Sequence, residues 1–265
     1  SDVQKKLLWF VVASWTGKFS GSIIGYNVFP EQGRREFTLA DAKKTMSLAF
    51  PGTSLEGWIY NSLKSLLDPL LSREWKTPSG KLVPIGRCLI DCNWEQSRNT
   101  VFQFCRQSPH KSVLLPSQGI GITASRNPIS TWPKKPGEIK GDNWIVKPVP
   151  EQGFRLCQFD TNYWKSRVAG HIAAAMGDQS SLSIFGSKPE EHRTFARHLV
   201  AEYRVPTTGR GRSLDEWKLK PNKPDNHWFD GVVGAAVAAS TLGCRVLEPE
   251  AKPRRKARRW KKGSA

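Results

Sequence analysis

Asp91 closes the stretch Arg87-Cys88-Leu89-Ile90-Asp91, which reads as a short buried strand ending on a carboxylate. Cys92-Asn93-Trp94 follow, and then a helix from about Glu95 to Arg106, with Val101, Phe102 and Cys105 on its apolar side. An acid at such a strand tip is held by the sheet and open to solvent, a place suited to hold a divalent cation against a phosphate. Two further acids stand where elements end. Asp2 lies where a preceding strand would hand over to a hairpin. Asp230 lies in the first turns of the closing helix, in Asn226-His227-Trp228-Phe229-Asp230. Asn226 and Asp230 are four apart and share a helix face. Oxygen-only carboxylates gathered at one point suit Mg²⁺ or Mn²⁺. With two such ions ~3.5–4 Å apart, one helps deprotonate a water and the other stabilises a leaving oxygen. That is the chemistry of phosphodiester hydrolysis by in-line attack, with no covalent intermediate.

Each acid also has a structural reading. Asp91 serves equally as a cap or turn residue, Asp230 as an early-helix acid placed by the macrodipole, and Asp2 as a terminal residue. Asp225 competes with Asp230 as the N-cap of the last helix. Glu202 and Asp160 are further acids; Asp160 precedes Thr161 and a helix, which favours capping. His227 is either a partly exposed helix residue or a contact to a phosphate or substrate strand. No Ser/His/Asp spacing argues for a nucleophilic triad. No GxxxxGK[ST] loop is present, so this chain shows no ATP-hydrolysing module. The five cysteines form no CxxC pair. They read as reduced buried thiols rather than a zinc site.

The elements that must position these acids alternate. Residues 7–13 and 21–29 read as a hairpin of strands turning near Thr16-Gly17-Lys18. A helix over Leu55 to Leu67 takes Thr53 or Ser54 as its cap. Before it the pattern from Thr38 is helical until Pro51-Gly52, and Lys76 to Lys81 is a loop. Strands 85–91 and 112–115, joined by a helix, form a right-handed parallel βαβ unit. Gln118 to Asp142 is a long basic loop insertion with Arg126, Lys134, Lys135 and Lys140. Asn143 to Val149 and Phe154 to Phe159 make a second hairpin, followed by a helix from Thr161 to about Ala175. A short strand spans Ser181 to Phe185. A helix opens at Lys188-Pro189-Glu190-Glu191 and runs to Leu199 or Tyr203. Arg204 to Pro224 is polar and basic, and Gly209-Arg210-Gly211-Arg212 reads as a flexible loop that touches a phosphate backbone. The last helix runs from Asp225-Asn226 to Leu242. The expected fold class is α/β, a mixed sheet of an antiparallel hairpin and parallel strands flanked by helices.

The chain of 265 residues carries 41 basic and 23 acidic residues, a net charge of +18. An excess of that size points to a polyanion, nucleic acid before membrane. Lys252 to Lys262 alone supplies eight basic residues and no acid, and residues 244–265 read as a disordered basic tail behind a domain over 1–243. No apolar run approaches the ~18 residues of a spanning helix, and no signal peptide is visible. A cytoplasmic location is expected. The chain does not begin with Met and enters an apolar strand almost at once. The expectation is a chain whose upstream part is absent, with most of the strand before Asp2 missing.

In order and type these motifs resemble the C-terminal nuclease domain of tailed-phage terminase large subunits, of the lambda-like GpA type. Asp2-Val3-Gln4 before a hydrophobic hairpin is similar to the first acidic motif. Ile90-Asp91-Cys92 before the helix carrying Val101-Phe102-Gln103-Phe104-Cys105 is similar to the second, with Cys92 and Asn93 where small residues are expected. Leu199-Val200-Ala201-Glu202, Trp217 and Asn226-His227-Trp228-Phe229-Asp230 before an Ala-rich helix resemble the closing segment. The resemblance implies an RNase H-like fold and a metal-dependent endonuclease that cuts concatemeric viral DNA during packaging, in the host cytoplasm. It carries Asp2, Asp91 and Asp230 over as catalytic metal ligands for Mg²⁺ or Mn²⁺, with two ions. It implies double-stranded DNA, a terminase small subunit and a portal or procapsid as partners; the packaging ATPase domain is not in this chain. Arg126, Lys134, Lys135, Arg210, Arg212 and His227 are the candidate DNA contacts. The alternatives are another RNase H-like nuclease of the transposase or resolvase type, and a non-catalytic nucleic-acid-binding assembly module.

Overall fold

A computed structural model describes residues 1–223 and 225–245. The chain opens with β1 (Asp2–Val3), β2 (Leu8–Trp15) and β3 (Gly21–Phe29), then α1 (Met46–Ala49) and α2 (Leu55–Ser72). Next come β4 (Trp75–Lys76), β5 (Leu82–Val83), β6 (Cys88–Asp91), α3 (Glu95–Gln107) and β7 (Leu114–Ile120). They are followed by β8 (Ile139–Lys140), β9 (Trp144–Val149), β10 (Phe154–Asp160), α4 (Thr161–Ala173), β11 (Leu182–Ile184) and α5 (Arg193–Leu199). The described chain closes with β12 (Glu202–Gly209), β13 (Arg212–Leu219) and α6 (His227–Thr241).

The class is α/β with mixed sheets flanked by helices, consistent with an RNase H-like nuclease fold. One sheet has the order β1-β2-β3-β11, the other β6-β7-β10-β9-β8. In the second, β6, β7 and β10 are mutually parallel, and β9 and β8 continue antiparallel. The sequence predicts one continuous sheet. The structure has two; among the described residues the backbone bonds between them are those of Ser1 to β6: its amino group donates to the Leu89 carbonyl at 2.6 Å, and the Asp91 N–H donates to the Ser1 carbonyl at 2.8 Å.

Helices cover both faces. Leu89 packs into a cluster with α4 and α6, while its neighbour Ile90 packs into another with α2 and α3. The alternation of a strand accounts for the split. α6 can lie close to β2 because it is built of small residues; a Cβ on Gly231 would stand 2.9 Å from the Val11 methyl. Ser54 caps α2 by accepting from the Gly57 N–H at 3.3 Å. Asp160 caps α4, accepting from Asn162 and Tyr163.

Several expectations need correction. The helical pattern from Thr38 yields only the single turn α1, because Pro51-Gly52 ends it. The expected loop stands at residues 77–81, as the turn of a small hairpin, β4–β5. The 118–142 segment is not one loop: β7 extends to Ile120, a 3-10 turn spans Ile129–Thr131, and β8 adds an edge strand. Residues 202–219 form an antiparallel ribbon, β12–β13, with Arg210-Gly211 at its turn. Arg210 has φ 49° and Gly211 φ 70°, the left-handed pair that a tight two-residue turn requires. The basic tail at 252–262 lies outside the described residues.

Candidate active site

Asp2, Asp91 and Asp230 line one cavity of about 280 Å³, together with Gln4, Asn93 and Lys165. Asp91 sits at the end of β6. Its Oδ2 accepts from the Asn93 N–H at 3.3 Å, so it shapes the turn beyond the strand. It is not the cap of α3, whose N-cap is Trp94 with no side-chain bond. Cys92 and Asn93 tie that turn to β7: the Cys92 thiol donates to the Ser117 carbonyl and Asn93 Nδ2 to the Gly119 carbonyl.

Asp2 is buried. Gln4 Nε2 donates to its Oδ1 at 2.9 Å, and His227 Nδ1 donates to its Oδ2 at 2.8 Å. His227 is therefore not a surface contact for a phosphate. It is 7% exposed and stacks on Trp9, with ring centroids 4.9 Å apart. Behind it, Asp225 Oδ1 lies 3.7 Å from Nε2. Burial alone would lower the pKa of His227, but the bonds to Asp2 and Asp225 outweigh it and hold the imidazole up at about 9. Asp225 is not the cap of α6 either; that position is Asn226. Its carboxylate accepts from the Leu39 N–H at 2.7 Å. Burial opposes its ionisation, yet His227 and the Leu39 bond hold its pKa below the usual value. His198 accepts from the Trp228 N–H in the first turn of α6. It can do so because burial, with His227 nearby, pushes its pKa down to about 4.

Asp230 faces Lys165 of α4. The ammonium bridges Asp230 Oδ1 at 2.9 Å and Glu202 Oε1 at 2.5 Å, and Asn226 Nδ2 donates to the same Glu202 oxygen. Burial would favour neutral lysine, but the two carboxylates hold its pKa above the ordinary value. Asn226 and Asp230 do share a face, and both serve this cluster. Glu202 Oε2 is buried with no bonding partner among the described residues.

The electrostatics of the three acids are linked. Burial, then repulsion from Asp2 and Asp230, pushes Asp91 up to about 8. Burial also raises Asp230, Lys165 pulls it back, and Asp2 raises it again, to about 6. Oxygen-only groups that repel one another in one cavity fit a hard divalent cation. Among the described residues, however, no group of three or more His, Cys, Asp or Glu stands ready-made around a single metal position. Asp2 is turned to Gln4 and His227, and Asp230 to Lys165.

Of the basic candidates, Arg126 and Arg212 come together. Arg212 Nη1 donates to the Arg126 carbonyl, and Gly209 packs on Ala124 and Ser125, closely enough that a Cβ there would meet their backbone at 3.2 Å. Arg126, Arg210, Lys134 and Lys135 are exposed. Sequence reasoning missed Lys165, although a signal was present: it falls on the buried stripe of α4, three residues before Val168.

A family model described as the terminase large subunit gpA, endonuclease domain, matches residues 1–253. No curated protein and no solved structure was found to match. The chain thus belongs to the gpA endonuclease-domain family.

Proposed function

We propose, from the premise that this is a gpA-type endonuclease domain, that the cavity between β1, β6 and α6 hydrolyses phosphodiester bonds of concatemeric double-stranded DNA during packaging. Family membership already implies DNA as substrate and sets aside the transposase and resolvase alternatives. The observation that carries the site assignment is the meeting of three acids from residues 2, 91 and 230 in one cavity, where burial and then repulsion raise Asp91 (from Asp2 and Asp230) and Asp230 (from Asp2).

Asp2, Asp91 and Asp230 would hold Mg²⁺ or Mn²⁺, two ions in the fullest form, supplying an activated water and neutralising charge at the leaving oxygen. The chain's own residues fix the acids. His227 donates to Asp2 and sets its rotamer, Asp225 and Trp9 hold the ring, and Lys165 balances Asp230 while Glu202 and Asn226 hold Lys165. Such outer partners typically contribute ~10–100-fold in metal affinity or activity. Arg126, Arg210, Arg212, Lys134 and Lys135 would meet the phosphate backbone, which fixes register without reading sequence. A terminase small subunit and a portal or procapsid are the proposed partners, in the host cytoplasm.

The test is plasmid DNA with Mn²⁺, beside Asp91→Ala and an EDTA control. Nicking that needs Mn²⁺ and is lost in Asp91→Ala supports the proposal. Binding without nicking, or nicking untouched by Asp91→Ala, overturns it.

A further inference from the structure

α4 carries two basic side chains that face opposite ways. Lys165 meets Asp230 and Glu202. Arg167, two residues on, stands about 200° further round the helix and lines a second cavity of about 490 Å³. That cavity shares no lining residue with the one that holds the three acids. Phe19, Trp144 and Trp164 supply its apolar lining. Its size falls within the ~300–1,000 Å³ of small-molecule sites.

Charge decides what the cavity prefers. Lys140, Arg167 and Arg245 line it against one carboxylate, Asp142, an excess of two positive charges. Asp142 is itself engaged: both its oxygens lie 2.7 Å from the Tyr163 hydroxyl, which donates to them. Arg167 Nη2 stands 3.7 Å from Asp142 Oδ2, beyond hydrogen-bond length. Its guanidinium lies over the Tyr163 ring, 5.3 Å from the centroid. The side chain is 24% exposed, and among the described residues its donors meet no acceptor at bonding distance. A mostly buried fork of N–H donors suits an oxyanion. One effect opposes an anion here. α6 ends at this cavity, in Ser240 and Thr241, and a helix C-terminus carries about half a negative charge. It is the weaker effect, because the Ala239 and Ser240 carbonyls already accept from the N–H groups of Leu242, Gly243 and Cys244.

We infer that this cavity binds a phosphate monoester, with the Arg167 guanidinium as its principal ligand and Lys140 and Arg245 flanking it. A monoester carries about −1.5 to −2 charges near pH 7, which matches the excess. A backbone phosphodiester, with about one, matches it less well. Two sources present that group: a free mononucleotide and the 5′-phosphorylated end of a DNA strand. The inference goes beyond the nuclease reading and does not rest on it.

The probes are AMP, adenosine, and a short single strand with either a 5′-phosphate or a 5′-hydroxyl. They are titrated by calorimetry in EDTA, where the three acids have no metal with which to hold a phosphate. AMP is expected to bind and adenosine not. Arg167→Gln is expected to weaken AMP about 10–100-fold. Arg245→Gln, at an exposed position, is expected to weaken it about 2–5-fold and carries the test should Arg167→Gln not fold. Lys64→Gln removes the same charge from the exposed side of α2 and is expected to leave binding unchanged. If the source is a DNA end, the 5′-phosphorylated strand binds more tightly than its 5′-hydroxyl twin and Arg167→Gln erases the difference. If it is a free nucleotide, the two strands bind alike and AMP alone responds to Arg167→Gln. AMP binding no better than adenosine, with the two strands alike, overturns the proposal. So does a loss in Lys64→Gln as large as that in Arg167→Gln or Arg245→Gln.

Discussion

At the scale of single residues, the site holds its charges under tension. Asp91 is raised to about 8 and His227 to about 9. Asp91 keeps a proton in the fold that it loses in the unfolded chain, so its contribution to stability falls as pH rises from about 4 through 8. His227 contributes stability that is full below about 6.5 and is lost as pH rises through 9. Both slopes have the same sign between pH 6.5 and 9. Metal-free protein is therefore expected to lose Tm across that window, and Asp91→Asn to flatten the loss and raise Tm at pH 8. Thermal melts at several pH values in EDTA check it; a Tm that climbs from pH 6.5 to 9 contradicts it. His227→Gln keeps a donor but not the charge. It is expected to lower DNA cleavage by ~10–100-fold with the fold retained by circular dichroism.

Lys165 makes a sharper case. Its two carboxylate partners differ: Glu202 is 4% exposed at the side chain and Asp230 40%. Lys165→Met strands Glu202 in the interior, and breaking a buried pair costs about 3–5 kcal/mol. A Tm drop of roughly 6–15 °C is expected for a domain of this size. Glu202→Leu in the same chain should return part of it, because the more deeply enclosed of the two stranded carboxylates is then gone.

At the scale of elements, the close contacts sit where the site is framed. A Cβ on Gly119 of β7 would stand 2.5 Å from the Thr161 methyl at the start of α4. Gly119→Val is expected to cost about 1–3 kcal/mol by overpacking, read as a lower midpoint in urea. Sequence patterning found the elements with a strong period: β2, β3, α2, α3, β6, β9, β10 and α6 all stand close to where alternation or helical spacing put them. It failed at β12–β13 because Tyr203, Arg204, Lys218 and Leu219 lie on a ribbon outside both main sheets, largely open to solvent. Without a buried face there is no hydrophobic alternation to read. What anchors the ribbon is tertiary and local: Trp217 donates its N–H to Asn162 and its indole N–H to Ser166 of α4. Spacing could likewise name Asp91 and Asp230 but not the bond of His227 to Asp2, which joins residues 225 positions apart.

At the scale of the whole molecule, charge governs how it meets DNA. The net charge is +18, and Lys252 to Lys262 contributes eight of the basic residues. Binding to a plain duplex is expected to weaken steeply with salt, with a log–log slope of about −0.9 for each phosphate neutralised. Deleting residues 252–262 should flatten that slope in a fluorescence titration while leaving Mn²⁺-dependent nicking at low salt in place. An unchanged slope would mean that the segment does not touch DNA. No helix among the described residues is long and apolar enough to cross a membrane.

The three acids come from the start, the middle and the last described helix of the chain. That spread has a temporal consequence. On a ribosome adding ~5–20 residues each second, α6 emerges roughly 7–28 s after β6. Until then Lys165 and Glu202 have no Asp230 to engage, and Asp2 has no His227. The cavity that the three acids line is therefore complete only once nearly all of the described chain has been made; if it is the proposed cutting centre, a partly synthesised chain is expected not to nick DNA.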